Sequence, residues 1–125
     1  MDVLNAISDK LSLSLFLSVA SGKSDPDLLK KDLNLTPKQY YSRLSALSKN
    51  ALVKKYEGKL RLTSFGKLVY DAQSTIEKGL RDLVKLKVID SLEADSTLSK
   101  EECDNIINTL IQNQEIKAIL EKRFS

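Results

Sequence analysis

The sequence predicts a mostly α-helical fold that carries one small β-hairpin, and three observations predict it. Apolar residues recur at spacings of three and four along most of the chain, while Gly and Pro number only four and two in 125 residues. Helix-start signals stand at Asp25-Pro26, Thr36-Pro37 and Ser99. Alternating apolar and polar residues flank a Gly-containing turn at Glu57-Gly58.

The first helix is expected over residues 3–20, where Leu4, Ile7, Leu11, Leu15 and Val19 form one stripe. Leu11, Leu13, Leu15, Leu17 and Val19 also alternate as a strand would. Helix is preferred because the stripe reaches back to Leu4 and the stretch is rich in Leu rather than β-branched residues. Leu13, Phe16, Leu17 and Ala20 widen the apolar surface, which suggests cover on two sides, one of them by another subunit. Gly22 ends this helix. Asp25 then caps a short second helix through Leu28, Leu29 and Leu33, with Pro26 at its first position and a tight turn at Asn34. Thr36-Pro37-Lys38-Gln39 opens a third helix: Thr36 caps, Pro37 fits the first turn, and Gln39 completes a capping box. It ends near Asn50.

Residues 53–56 and 60–63 alternate around Glu57-Gly58 and read as a hairpin with basic side chains along it. Thr63-Ser64 begins another helix, whose stripe Phe65, Leu68, Val69, Ala72, Ile76, Leu80, Leu83 and Val84 runs on towards Leu92 or breaks near Gly79. So long an apolar stripe exceeds what a small globule can bury and calls for a partner helix. Ser99 and Glu102 form a second capping box, ahead of Cys103, Ile106, Ile107, Leu110 and Ile111. A break at Asn113-Gln114 precedes a last short helix with Ile116, Ile119, Leu120 and Phe124. The division expected is residues 1–70 as one domain and 71–125 as a helical extension.

Composition narrows the function. One cysteine, Cys103, and no histidine fit a reducing compartment and disfavour a structural zinc. Cys103 lies on an apolar stripe and reads as a core residue, with redox sensing the lesser use. The lack of His removes the commonest general base, and no phosphate loop, nucleophile motif or clustered acids with ligand spacing appear, so no enzymatic activity, metal or cofactor is expected. Residues 11–20 are too short and interrupted to span a bilayer, and the N-terminus lacks a basic signal region, so a cytoplasmic protein is expected. Residues 36–67 hold eight cations against Glu57 alone, a local excess of +7; the net charge is +3, so the remainder sums to −4. One basic functional face is the natural reading.

Helix, helix, helix, hairpin, helix is the order of a winged helix-turn-helix. The run LTPKQYYSRLSALSKNALVKKYEGKLRLTSFGKLVY resembles small archaeal winged-helix transcription regulators, broadly similar to the ArsR and MarR types. The likeness rests on the capped helix, Leu44 and Leu47, the Ala51-Leu52-Val53 entry to the first strand, and Leu62, Thr63 and Gly66. Where related sequences often have Gly, this chain has Ala51, with Asn50 at hand for the left-handed turn. The resemblance implies that the third helix, about 37–49, enters the DNA major groove. It also implies that the hairpin, about 53–62, acts as a wing on phosphates or the minor groove.

On the third helix, Tyr40, Leu44, Leu47 and Ala51 share the side expected to be buried. Lys38, Ser42, Ser45 and Lys49 lie opposite, flanked by Gln39, Tyr41, Arg43 and Ala46. Short hydroxyls permit close approach to base edges, Gln39 suits adenine, and Arg43 or Lys38 suits guanine or phosphate. Two uses stay open for Tyr41, phosphate bonding or plain surface aromatic. Two also stay open for Arg43, DNA contact or an ion pair with an acid such as Asp32. The adjacent tyrosines read as separate, Tyr40 in the core and Tyr41 at the edge of the open face. The candidate DNA-binding set is therefore Thr36, Lys38, Gln39, Tyr41, Ser42, Arg43, Ser45 and Lys49 on the helix, with Lys54, Lys55, Lys59 and Arg61 on the wing. Strand alternation prevents all four wing cations from facing one way.

The function expected is sequence-specific binding of double-stranded DNA by a dimeric transcription regulator, with the homodimer formed through the first helix and the 64–92 helix. The alternative is a winged-helix protein-interaction module without specific DNA binding, since one fold serves several functions.

Overall fold

The computed structural model of the chain describes residues 1–122. Within them the order is α1 (Val3–Ala6), α2 (Lys10–Ala20), α3 (Pro26–Asp32), α4 (Pro37–Lys49), β1 (Val53–Tyr56), β2 (Lys59–Leu62), α5 (Ser64–Arg81), α6 (Leu83–Glu93), α7 (Lys100–Leu110) and α8 (Gln114–Leu120). The fold is mostly helical, with one two-stranded antiparallel sheet. Two units are distinguished, Met1–Asp71 and Ala72–Ser125. No described helix is long and apolar enough to cross a membrane.

The single helix expected over residues 3–20 is instead two. Asp9 interrupts it, its carboxylate accepting from the backbone N–H of Ser12 at 3.2 Å and from the Ser12 hydroxyl at 3.1 Å. A carboxylate that satisfies an orphan N–H makes a fresh helix start more favourable than a continuous helix. Leu4 is consequently off the stripe and 77% exposed. Leu15, Phe16 and Val19 of α2 are buried with Leu29, Tyr40, Leu44, Leu47, Leu52, Val53 and Leu60 in the core of the first unit. Burial of each such large side chain contributes roughly 1.5–3 kcal/mol before entropy is set against it.

Helices α2, α3 and α4 all end in the same motif, with a left-handed residue just past the cap: Gly22 at φ 102°, Asn34 at 54° and Ala51 at 60°. After α4, Leu52 N–H donates to the Leu47 carbonyl and Ala51 N–H to the Ser48 carbonyl, both at 3.0 Å. Those two bonds satisfy carbonyls that the helix end leaves open. The left-handed position therefore falls on Ala51 itself and not on Asn50, which has φ −93°. Asn50 is otherwise engaged: its side chain donates to the Ala46 carbonyl at 2.8 Å and accepts from Asp2 N–H at 2.7 Å.

The hairpin turns at Glu57 and Gly58, with φ 53° and 77°. Positive φ at both central residues is what a type I′ turn requires. The register pairs Val53 with Leu62, Lys54 with Arg61, Lys55 with Leu60 and Tyr56 with Lys59. Thr63 then ties the start of α5 to the end of α4. Its hydroxyl donates to the Ala51 carbonyl and accepts from Gly66 N–H at 2.7 Å, while its own N–H donates to the Leu52 carbonyl at 3.1 Å. Gly66 is the buried residue of α5, and a Cβ there would overlap the Leu52 carbonyl.

Of the two alternatives for the 64–92 segment, the break near Gly79 is the one found: it falls at Asp82, between α5 and α6. In the second unit Ile89, Ile107, Ile111 and Ile116 are buried, with Leu86, Leu110 and Leu120 packed around them. The Ser99–Glu102 capping box forms, and Asn113 caps α8 by accepting from Ile116 N–H at 3.0 Å. Phe124, expected on the last helix, lies outside the described residues.

Ala51→Gly is expected to stabilise the protein by about 0.5–1 kcal/mol, because relief of the left-handed Cβ strain exceeds the added freedom of the unfolded chain. Gly66→Ala is expected to destabilise by several times that amount, roughly 2–4 kcal/mol, through overpacking against fixed backbone. Urea midpoints of the two variants shifting in opposite directions from the parent check both.

Candidate nucleic-acid interface

Helix α4 separates its side chains as its period demands. Tyr40, Leu44 and Leu47 are buried, whereas Lys38, Tyr41, Ser42, Ser45 and Lys49 are exposed. No acidic residue occurs between Pro37 and Lys49, so the exposed side is cationic and hydroxylic throughout.

Three candidate residues already have work inside the protein. Thr36 Oγ1 accepts from Gln39 N–H at 3.2 Å, and Gln39 Oε1 accepts from Thr36 N–H at 3.0 Å, which closes the capping box. Adenine reading by Gln39 in its bidentate form would open that box, since it needs the same Oε1. Arg43 Nε donates to Asp9 Oδ2 at 2.8 Å. The acid that holds Arg43 is thus Asp9, at the cap of α2, and not Asp32, which pairs with Lys23 at 3.3 Å. No spacing in the sequence announces a pair 34 residues apart; it exists because α2 and α4 pack together.

The two tyrosines are in contact, contrary to the separation expected from the helical wheel. Their rings meet edge to face, with centroids 5.1 Å apart. Lys30 of α3 sits 5.3 Å and 5.4 Å from the two centroids. Adjacent positions point 100° apart, but rings of this length swing together around a shared cation. Burial first, then Tyr41, Asp27 and Asp25, push the Tyr40 hydroxyl above the ordinary phenol range.

On the hairpin, opposed residues share a face. The register therefore places Lys54, Tyr56, Lys59 and Arg61 together, and all four are exposed. Lys55 falls on the other face with Val53, Leu60 and Leu62, so the structure brings three of the four predicted cations together and separates the fourth. Tyr56 is the functional candidate that the sequence reading left out. The Arg61 guanidinium carbon lies 5.0 Å from the Tyr56 ring centroid, a cation–π stack on the basic face. The period-two pattern around Gly58 was the signal that could have found it. Among the described residues, no group of three or more His, Cys, Asp or Glu is placed to hold a metal.

Compared with protein-family models, with curated proteins and with solved structures, the chain finds no match.

The hydrogen bond from Arg43 holds the Asp9 carboxyl below its usual 3.8, against the opposing effect of burial and with help from Ser12. A folded-state pKa below the unfolded value means that the Asp9 contribution is complete above that value and lost as pH falls through the depressed one. Asp9→Asn should therefore lower the urea midpoint at about pH 7, and the gap from the parent should narrow near pH 3. A gap independent of pH would remove the Arg43 pair as its cause.

Proposed function

We propose that this chain is a dimeric winged helix-turn-helix regulator that binds double-stranded DNA sequence-specifically, like the archaeal regulators that residues 25–70 resemble. Helix α4 reads the major groove, and the β1–β2 hairpin is the wing that holds the backbone or the neighbouring minor groove. The observation that carries this reading is the pairing of two surfaces in one unit. One is an acid-free exposed face on α4; the other is a hairpin face of Lys54, Tyr56, Lys59 and Arg61.

The chemistry divides by side chain. Lys38 and Lys49, near the two ends of α4, meet phosphates; Ser42 and Ser45 between them are short enough to let the helix axis approach base edges. Arg43, held by Asp9, braces α4 on α2 and sets its orientation. On the wing, Lys54, Lys59 and Arg61 offset phosphate charge, and Tyr56 keeps Arg61 spread over its ring.

A single module reads few base pairs, so useful specificity calls for two on a roughly palindromic site. Support for a second copy comes from α5 and α6. Phe65, Leu68, Ile76, Leu80, Leu83 and Val84 are exposed along them, Ile76 by 62% and Leu80 by 58%. The apolar side chains of α2 are mostly used within the first unit, which makes α5 and α6 the larger open face. Among its described residues the second unit buries a core of four isoleucines, and a partner helix on the open stripe completes it.

Selection of bound duplexes from random DNA, followed by a salt series, tests the reading. Enrichment of a site and a steep fall of affinity with salt are expected. A Lys38→Glu, Ser42→Glu double variant should abolish binding with the dimer intact. Lys54→Gln should reduce the slope of log affinity against log salt by about one. Absence of both enrichment and salt sensitivity would transfer the assignment to a protein-interaction module. For the dimer, Ile76→Glu with Leu80→Glu should sediment as a monomer that retains the helical circular-dichroism spectrum; an unchanged mass would exclude this face as the interface.

A further inference from the structure

A pocket of about 230 Å³ opens in the second unit, between the junction of α5 with α6 and the turn from α7 into α8. Lys78, Arg81, Asp82, Lys85, Gln112 and Asn113 line it. Backbone bonds carry the helical progression through the junction: Asp82 N–H donates to the Lys78 carbonyl at 3.2 Å, and Leu86 N–H to the Asp82 carbonyl at 2.9 Å. Lys78, Arg81 and Lys85, at steps of three and four, therefore share one side, and Ile76, Leu80, Leu83 and Val84 take the other. The cations are thus separate from the stripe assigned above to a second copy. They meet a single carboxylate. Lys85 Nζ lies 3.9 Å from Asp82 Oδ1, a long pair with the lysine half exposed. Among the described residues Lys78 and Arg81 enter no ion pair. Three cations and one acid leave the pocket at +2, whereas the other charged residues of 72–125, five cations and nine acids, sum to −4. The amides add donors. Asn113 Oδ1 accepts from Ile116 N–H at 3.0 Å, which leaves its Nδ2 to donate.

We infer that this pocket binds the phosphate of a small phosphate monoester in its doubly charged form. Like charges gathered in a concave site focus the field there, and an anion of matching charge relieves their repulsion. The two charges of the monoester match the excess of +2. Arg81 offers a planar fork to two phosphoryl oxygens, and Lys78 and Asn113 donate to the others. A phosphodiester has one charge and leaves half of the excess uncompensated. The volume falls below the roughly 300–1,000 Å³ of sites that enclose a whole drug-sized ligand, so the phosphate is held and its ester group stays outside. Asp82 competes with the phosphate for Lys85 and limits the affinity. The site lies within the second unit and does not depend on the DNA reading.

The probes are glycerol 3-phosphate and dimethyl phosphate, titrated at constant ionic strength into the isotope-labelled full chain without DNA and read by backbone amide shifts. Saturable shifts at Lys78, Arg81, Gln112 and Asn113 are expected with the monoester, at an affinity roughly tenfold above that of the diester. That affinity should rise between about pH 5 and pH 7, as the monoester gains its second charge near pH ~6. Arg81→Gln should weaken it about tenfold while the helical circular-dichroism spectrum is retained. Asp82→Asn should strengthen it by roughly threefold. Lys87→Gln removes an exposed cation of α6 outside the pocket and should leave the affinity unchanged. Equal affinity for the two probes would overturn the choice of a monoester and point to a phosphodiester backbone instead. Shifts that grow without saturation, or equal losses in Arg81→Gln and Lys87→Gln, would overturn the site.

Discussion

The Thr63 hydroxyl and the missing side chain of Gly66 hold the first unit together at one point. Three carbonyl or amide groups from two distant turns meet there: Ala51 and Leu52 past the end of α4, and Gly66 in the first turn of α5. The chain leaves α4, makes a hairpin, and must return to within bonding distance of where it left. A hydroxyl can donate and accept at once, so Thr63 closes both ends of that excursion. Gly66 lets α5 approach the Leu52 carbonyl closely enough for the closure to occur. The hairpin is therefore clamped at its base, and its free end carries the Tyr56–Arg61 stack.

That clamp explains why the basic surface divides as it does. With the base fixed and a type I′ turn of two residues at the tip, the register has no freedom to slip. Val53, Leu60 and Leu62 must face the core, and Lys54, Tyr56, Lys59 and Arg61 must face away. Lys55 is on the inner face by the same necessity. The exposed side of α4 follows from a parallel constraint, since Tyr40, Leu44 and Leu47 are committed to the core and Arg43 to Asp9. The proposed DNA-facing surface is in this sense what remains after the core and its bracing have taken their residues.

The two units contrast in how far they satisfy their own apolar residues. The first buries a dozen side chains around α2, α4 and the hairpin. Among its described residues the second buries four, while α5 and α6 leave Ile76, Leu80, Leu83 and Val84 open. A helix with one strongly apolar stripe and no cover is an incomplete packing unit.

Local signals were legible in the sequence wherever one short stretch contains all the partners. The capping boxes at Thr36–Gln39 and Ser99–Glu102, the ends at Gly22 and Asn34, the Glu57-Gly58 turn and the buried side of α4 are of this kind. Their bonds close within three to five residues, so residue type and spacing determine them. What the sequence did not disclose depends on distance along the chain. The break at Asp9 is reinforced by Arg43, Asn50 is the cap of α4 tied to Asp2 and Ala46 so that the left-handed position falls on Ala51, and Tyr41 meets Tyr40 beside Lys30 of α3. The sequence by itself determined which helices start and stop, and that a basic surface exists between residues 36 and 67. Only the tertiary structure decided which cations share a face, which are held by acids and where a cleft opens, because those outcomes are set by packing between elements that no local pattern encodes.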